Sequence, residues 1–136
     1  MPHVAVNYLA VLFCGIAAMI TGAFWYGPLF GKAWMKSEGF KEEDLKKDFN
    51  PAKTYGTAFI SHLIIAYVLA RVLGYVGAVT IVEYLRIAFL CWIGFTGATM
   101  TINYLFERKT MKLFFINSFY HLVVFLIFGV ILNLWM

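Results

Sequence analysis

A chain of 136 residues that is 62% hydrophobic and 13% charged is too apolar to close its surface around one small water-soluble core. A net charge of +4 would suit nucleic acid or an acidic surface, but nine of the eleven Lys and Arg fall in two stretches between apolar runs. That distribution excludes a nucleic-acid face and points to a membrane, with lipid and other transmembrane helices as partners.

A bilayer core of about 30 Å needs roughly 20 apolar residues per helix. Residues 4–30 make the first such run. Its start lacks Lys and Arg and it closes on Phe24-Trp25-Tyr26, so it reads as a retained span rather than a cleaved signal peptide. The loop 32–53 follows, carrying Lys32, Lys36, Lys41, Lys46, Lys47 and Lys53. Within it, the four-residue spacing of Glu42, Glu43, Lys46 and Lys47 predicts a short helix that Pro51 ends. Trp34, Phe40, Leu45 and Phe49 could rest that helix on the bilayer surface, and a solvated charged hairpin is the plain alternative.

The second span is expected over 54–73, the third over 84–106 and the fourth over 113–135, joined by loops 74–83 and 107–112. Arg108, Lys109 and Lys112 occupy the last loop. By the positive-inside rule the two basic loops are cytoplasmic, which puts both termini and residues 74–83 outside. Trp25, Tyr26, Tyr55 and Tyr104 would then mark the inner interface, and Tyr8, Tyr75, Tyr84 and Trp135 the outer one. Cys14 and Cys91 lie inside apolar runs, where a thiol behaves as a small hydrophobe. The fold class is therefore an all-α membrane protein of four transmembrane helices in a single domain, 1–136.

The first span aligns without gaps on the third at an offset that carries Tyr8-Leu9 onto Tyr84-Leu85, Phe13 onto Phe89 and Lys32 onto Arg108. The second aligns on the fourth, with Lys53 on Lys112, His62-Leu63 on His121-Leu122 and Leu73 on Leu132. Two tandem, pseudo-equivalent helical hairpins are implied. Ala18 and Gly22 fall on Gly94 and Ala98, and small residues four apart allow backbones to approach, so the first and third helices are expected to meet there.

His62 and His121 each lie nine residues beyond a loop lysine, about 13 Å of helix rise, and so near mid-membrane. Ionisable groups at that depth are functional candidates. With Asn103 and Asn117 they could line a polar path for protons or a solute. Two imidazoles at equal depth could also be the axial ligands of a haem, whereas a zinc site wants more ligands than this pair offers, so no metal is assigned. The plain alternative is that each neutral ring bonds a neighbouring carbonyl and holds helices together. Arg71, Glu83 and Arg86 form a second set of charges at the outer end, suited to an interfacial salt bridge or a lipid headgroup. No Gly-rich phosphate loop, paired carboxylates or CxxC motif is present, and no enzyme is expected.

The run Trp25-Tyr26-Gly27-Pro28-Leu29-Phe30-Gly31-Lys32-Ala33-Trp34, with Asn117-Ser118-Phe119-Tyr120-His121-Leu122, resembles a bacterial family of small four-helix membrane proteins known as domain of unknown function 1761. The resemblance covers residues 7–135 and implies the fold class and a bacterial inner membrane, without an activity. Fourteen Phe, matched small residues and almost no buried charge suggest a non-enzymatic bundle that acts by packing, as a homo-oligomer or an accessory subunit of a larger membrane complex. A small channel or transporter using His62, His121, Asn103 and Asn117 is the alternative, and a bis-His haem protein the lesser one. No cofactor is otherwise expected.

Overall fold

A computed structural model describes residues 4–38 and 50–135. Four of its helices are long and apolar enough to cross a membrane: α1 (Tyr8–Leu29), α3 (Pro51–Val76), α4 (Ile81–Phe106) and α5 (Met111–Leu134). A shorter helix, α2 (Gly31–Glu38), follows α1 directly.

Local chemistry sets most of these ends. Asn7 opens α1 by accepting from the amides of Leu9 and Ala10, and Thr110 opens α5 by accepting from Leu113 N. Asn50 accepts from Lys53 N, with Pro51 as the first residue of α3. Pro51 therefore begins a span instead of ending a loop helix: its missing N–H costs nothing where the first amides of a helix have no partner anyway. The Glu42, Glu43, Lys46, Lys47 pattern and Phe40, Leu45 and Phe49 lie outside the described residues, while Trp34 falls within α2. At the other end of α3, Gly77 takes φ 72°, a left-handed conformation open to glycine, and its amide and that of Ala78 bond back to the carbonyls of Gly74 and Leu73. Thr80 then caps α4 through Glu83 N, so the turn is shorter than the expected 74–83.

Two spans depart from regular α geometry. Trp25–Leu29 closes α1 as a π turn containing Pro28, and Phe30 N bonds the Trp25 carbonyl five residues back at 2.8 Å. Trp92–Gly97 forms a second π turn in the middle of α4. Each lets the helix take in an extra residue and turns the face that follows it.

The helices pack in the order α3, α1, α5, α4: α1 lies on both α3 and α5, and α5 on both α1 and α4. Small residues on three helices receive large ones on the fourth. Ala10, Cys14 and Ala18 of α1, Ala66 and Ala70 of α3 and Ala88 of α4 are fully buried, as are Phe128 and Leu132 of α5. Lipid chains are as apolar as Leu, so close dispersion contact of this kind is what holds such helices together. The most apolar window of α5 is 44% buried, against 17% for α4.

The two hairpins are present, but they are not packed alike. α3 meets α4 beside their connecting turn, whereas α1 runs along α5, and the π turns occupy unmatched positions in α1 and α4. Nor do the small residues pair the first span with the third. Gly94 and Ala98 are exposed, and Gly22 and Ala18 instead face Tyr120 of α5. Tyr84, Ala88 and Trp92 are buried at steps of four, the next buried residue is Gly97, and Gly94 and Ala98 are left on the uncovered side.

The end of the bundle opposite the basic loops is tied shut. Asn7 Nδ2 donates to the Trp135 carbonyl at 3.0 Å and Asn133 Nδ2 to the Val79 carbonyl at 3.1 Å, joining α1, α5 and the α3–α4 turn. Val4 lies against Gly74, and the rings of Phe13 and Trp135 stack with centroids 5.4 Å apart.

Candidate functional site

The described polar groups inside the bundle gather on either side of α5. His62 of α3 is 7% exposed, and its Nε2 lies 3.2 Å from the hydroxyl of Tyr120, which itself donates to the Ala18 carbonyl at 3.1 Å. One phenol thus links α1, α3 and α5. His121, the next residue on α5, stands with its ring 6.5 Å from that of His62, so the two histidines expected at equal depth are brought together. Phe128 meets His62 edge-on at 6.3 Å. The other ring nitrogen of His62, Nδ1, is buried without a hydrogen-bond partner among the described residues. Orphaned polar atoms of this kind are costly, and proteins seldom keep them without a use.

His62 also ends a cavity of about 610 Å³ between α1 and α3. Among the described residues it is lined by Met19, Gly22, Ala23, Tyr26 and Gly27 on α1, Thr54, Tyr55, Ala58 and His62 on α3, and Tyr120. Thr54 lies in the first turn of α3, so the cavity runs from the basic end inward for roughly 12 Å of helix rise. Beyond His62 the interior is Leu69, Ala70, Leu73, Val124, Phe128 and Leu132, all buried and apolar.

A second polar chain runs beside the first. Tyr26 donates to Asn117 Oδ1 at 2.6 Å, and Asn117 Nδ2 donates to the hydroxyl of Tyr104 at 2.6 Å, spanning α1, α5 and α4. Trp25 Nε1 donates to the Ile116 carbonyl and Trp92 Nε1 to the Ser118 carbonyl, each at 2.9 Å, so α5 is held by an indole from either side. Asn103 belongs to neither chain. It is exposed on α4, and the neighbouring Tyr104 is the residue of that turn that bonds Asn117.

Arg71, Glu83 and Arg86 do not act as one cluster. Arg71 is clasped by Tyr67 and Tyr75, one turn away on either side, which accept from its guanidinium and offer their rings at 5.9 and 5.3 Å. Glu83 accepts from Val79 N at 2.7 Å, closing the turn through the backbone rather than through a salt bridge, and Arg86 is exposed. The helix start imposes this, because unpaired amides gather where Glu83 stands.

The histidine pair does not fit a bis-His haem as it stands. A porphyrin would have to lie flat between the two rings, where Tyr120 packs on His121 at 5.0 Å and holds the Nε2 that would bind iron. Among the described residues no three His, Cys, Asp or Glu converge as a metal site would need.

Sequence patterns singled out His62 and His121 by depth but missed Tyr120, Tyr26 and Tyr104. Tyr26 and Tyr104 are easily taken for interfacial belt residues, although each turns its hydroxyl inward to Asn117. Tyr120 had one available signal, its place beside His121 on the fourth span. A family model described as a protein of unknown function (DUF1761) matches residues 9–133. No curated protein and no solved structure matches the chain.

Proposed function

The chain belongs to the DUF1761 family of proteins of unknown function, and we propose that it is a non-enzymatic membrane bundle that holds a small molecule between α1 and α3. The molecule enters from the cytoplasmic side of a bacterial inner membrane, the side given by the basic loops. One observation carries this reading: a cavity of about 610 Å³ between α1 and α3 has the largely buried imidazole of His62 and the Tyr120 that bonds it among its lining residues. A permanent pore is less well supported, since the apolar plug of Leu69, Leu73, Val124, Phe128 and Leu132 offers no polar path past His62.

The test is cavity filling. Ala58→Trp places an indole between the walls and should abolish protein-dependent binding of small apolar probes to the protein in lipid nanodiscs. Probes that bind the variant as well as the native protein would refute the reading.

A different observation favours self-association, the packing role expected of such a bundle. Where α3 and α4 diverge they leave an apolar groove of about 310 Å³, lined by Ile64, Val68, Val72, Cys91, Phe95 and Phe125 among others, and Phe95 is 80% exposed at its edge. In a twofold dimer each Phe95 would enter the groove of the other copy. Phe95→Ala should then abolish dimers cross-linked in membranes, and a chain that is monomeric in mild detergent before any substitution would count against this role.

A further inference from the structure

Away from the cavity, the end of the bundle opposite the basic loops carries a charge for which the sequence supplies no acidic partner. Of the seven Asp and Glu, six lie at positions 38–48 and 107, around the basic loops, and only Glu83 lies at the same end as Arg71. Glu83 gives its carboxylate to Val79 N. Arg71 stands five residues before the end of α3, roughly 8 Å of helix rise below it, and so at the edge of the hydrocarbon core, where an unneutralised charge is costly. Its guanidinium is held between the hydroxyls of Tyr67 and Tyr75, and Tyr67 in turn stacks on Tyr8 of α1 with ring centroids 6.3 Å apart. These three side chains of α3 are half-buried, on the side turned away from its core residues Leu69, Ala70 and Leu73.

Counting donors identifies what belongs there. A guanidinium has five N–H and no acceptor. Two go to the tyrosines, each of which accepts through its oxygen and keeps its own proton to give. Three N–H and two O–H are left around one positive charge, the complement of the two free oxygens of a phosphodiester. We propose that Tyr67, Arg71 and Tyr75 hold the phosphate of an anionic phospholipid in the leaflet at the turn end of the bundle. In a zwitterionic lipid an ammonium group competes for the same phosphate, so an anionic headgroup is preferred. The face below the charge fits the rest of the molecule. Ile60, Ile64 and Val68 continue the row of Arg71 and Tyr75 in steps of three or four, and each is more than half exposed. The rise from Ile60 to Arg71 is about 16 Å, close to the depth of one leaflet of a core about 30 Å thick. A free phosphate ester would meet the same donors and leave this strip unused.

Native mass spectrometry of the protein in a mild neutral detergent measures binding of three probes. They are dioleoyl phosphatidylglycerol, dioleoylglycerol, which has the same chains without a phosphate, and glycerol phosphate, which has the phosphate without chains. Native protein should bind phosphatidylglycerol about tenfold more tightly than either of the others, the increment of one charge-assisted contact. Arg71→Gln should remove the preference over dioleoylglycerol. Tyr67→Phe with Tyr75→Phe keeps the charge but deletes both hydroxyl donors, and should reduce that preference to about threefold. Arg86→Gln, at an exposed charge on α4, should leave it within about twofold of native. Should Arg71→Gln not fold, the tyrosine pair and the native series decide. Equal binding of the two lipids to native protein overturns the phosphate site. A preference that survives Arg71→Gln, or that falls as far in Arg86→Gln, overturns its assignment to Arg71. Glycerol phosphate binding as tightly as phosphatidylglycerol overturns the lipid and makes a soluble phosphate ester the occupant.

Discussion

Replacing Tyr120 with Phe deletes one oxygen and should cost more than that oxygen's own bonds. The hydroxyl sits 3.1 Å from the Ala18 carbonyl and 3.2 Å from His62 Nε2. Side-chain hydrogen bonds between membrane helices average about 0.6 kcal/mol, so the two together are worth roughly 1 kcal/mol. The substitution also strands Nε2 in a buried position where Nδ1 already has no partner, a further cost of roughly 1–3 kcal/mol. Tyr120→Phe should therefore destabilise the protein by about 2–4 kcal/mol. His62→Phe behaves differently. It loses one bond, of about 0.6 kcal/mol, but removes both ring nitrogens and with them the orphan, and its larger ring has the cavity to expand into. Its net effect should lie near zero, and the double variant should be more stable than Tyr120→Phe alone by about 1–3 kcal/mol. Reversible unfolding in mixed micelles with added SDS, followed by tryptophan fluorescence, measures all four proteins. Losses that are equal for the two single variants and additive in the double would refute the reasoning, because the stranded nitrogen would then carry no energy.

Gly22→Leu and Gly94→Leu should separate sharply, although the sequence pairs both positions in one small-residue pattern. A Cβ on Gly22 would stand 3.1 Å from the Tyr120 hydroxyl, while one on Gly94 meets nothing within 4 Å. The first should lower stability by roughly 1–3 kcal/mol and the second by less than about 0.5 kcal/mol in the same SDS titration. Asn133→Leu removes the bond to the Val79 carbonyl, so amide exchange over residues 77–80 should speed up, with a stability loss of about 0.6 kcal/mol. In a Cys14→Ala, Cys91→Ala background, cysteines placed at Lys53 and Lys112 should react with an impermeant thiol reagent from one face of the membrane and a cysteine at Val79 from the other. Reaction of all three from the same face would contradict the hairpin arrangement.

The spans and several of their ends were legible because each rests on local chemistry. Length and apolarity mark the four helices, whereas the far turn was drawn too long and Glu83 was expected in a charge cluster, although Thr80, Glu83 and Gly77 close it by local bonds. Pro51 shows the limit of such signals, since a proline can stop a helix or start one, and only the Asn50 cap decides between them. Packing was less legible. Gly94 and Ala98 were matched to Ala18 and Gly22 by the repeat offset and their small size, and neither says which face of α4 is covered, so they were assigned a contact they do not make. His62 could be found from its depth alone. Its bond to Tyr120 could not: the place of Tyr120 beside His121 puts it at the same depth, but only the tertiary contact shows which neighbouring helix its hydroxyl meets.

The central place of α5 has a consequence for biogenesis. Residues 111–134 are synthesised after the other three spans, yet Tyr120, Val124, Phe128 and Leu132 fill the middle of the core, and Trp135 accepts the bond that fixes Asn7 at the start of α1. The first hairpin must therefore wait in the bilayer with Ala10, Cys14 and Ala18 unmatched by their final neighbours until α5 has been made. A chain stopped before residue 111 would insert three spans and still lack the element around which they are arranged.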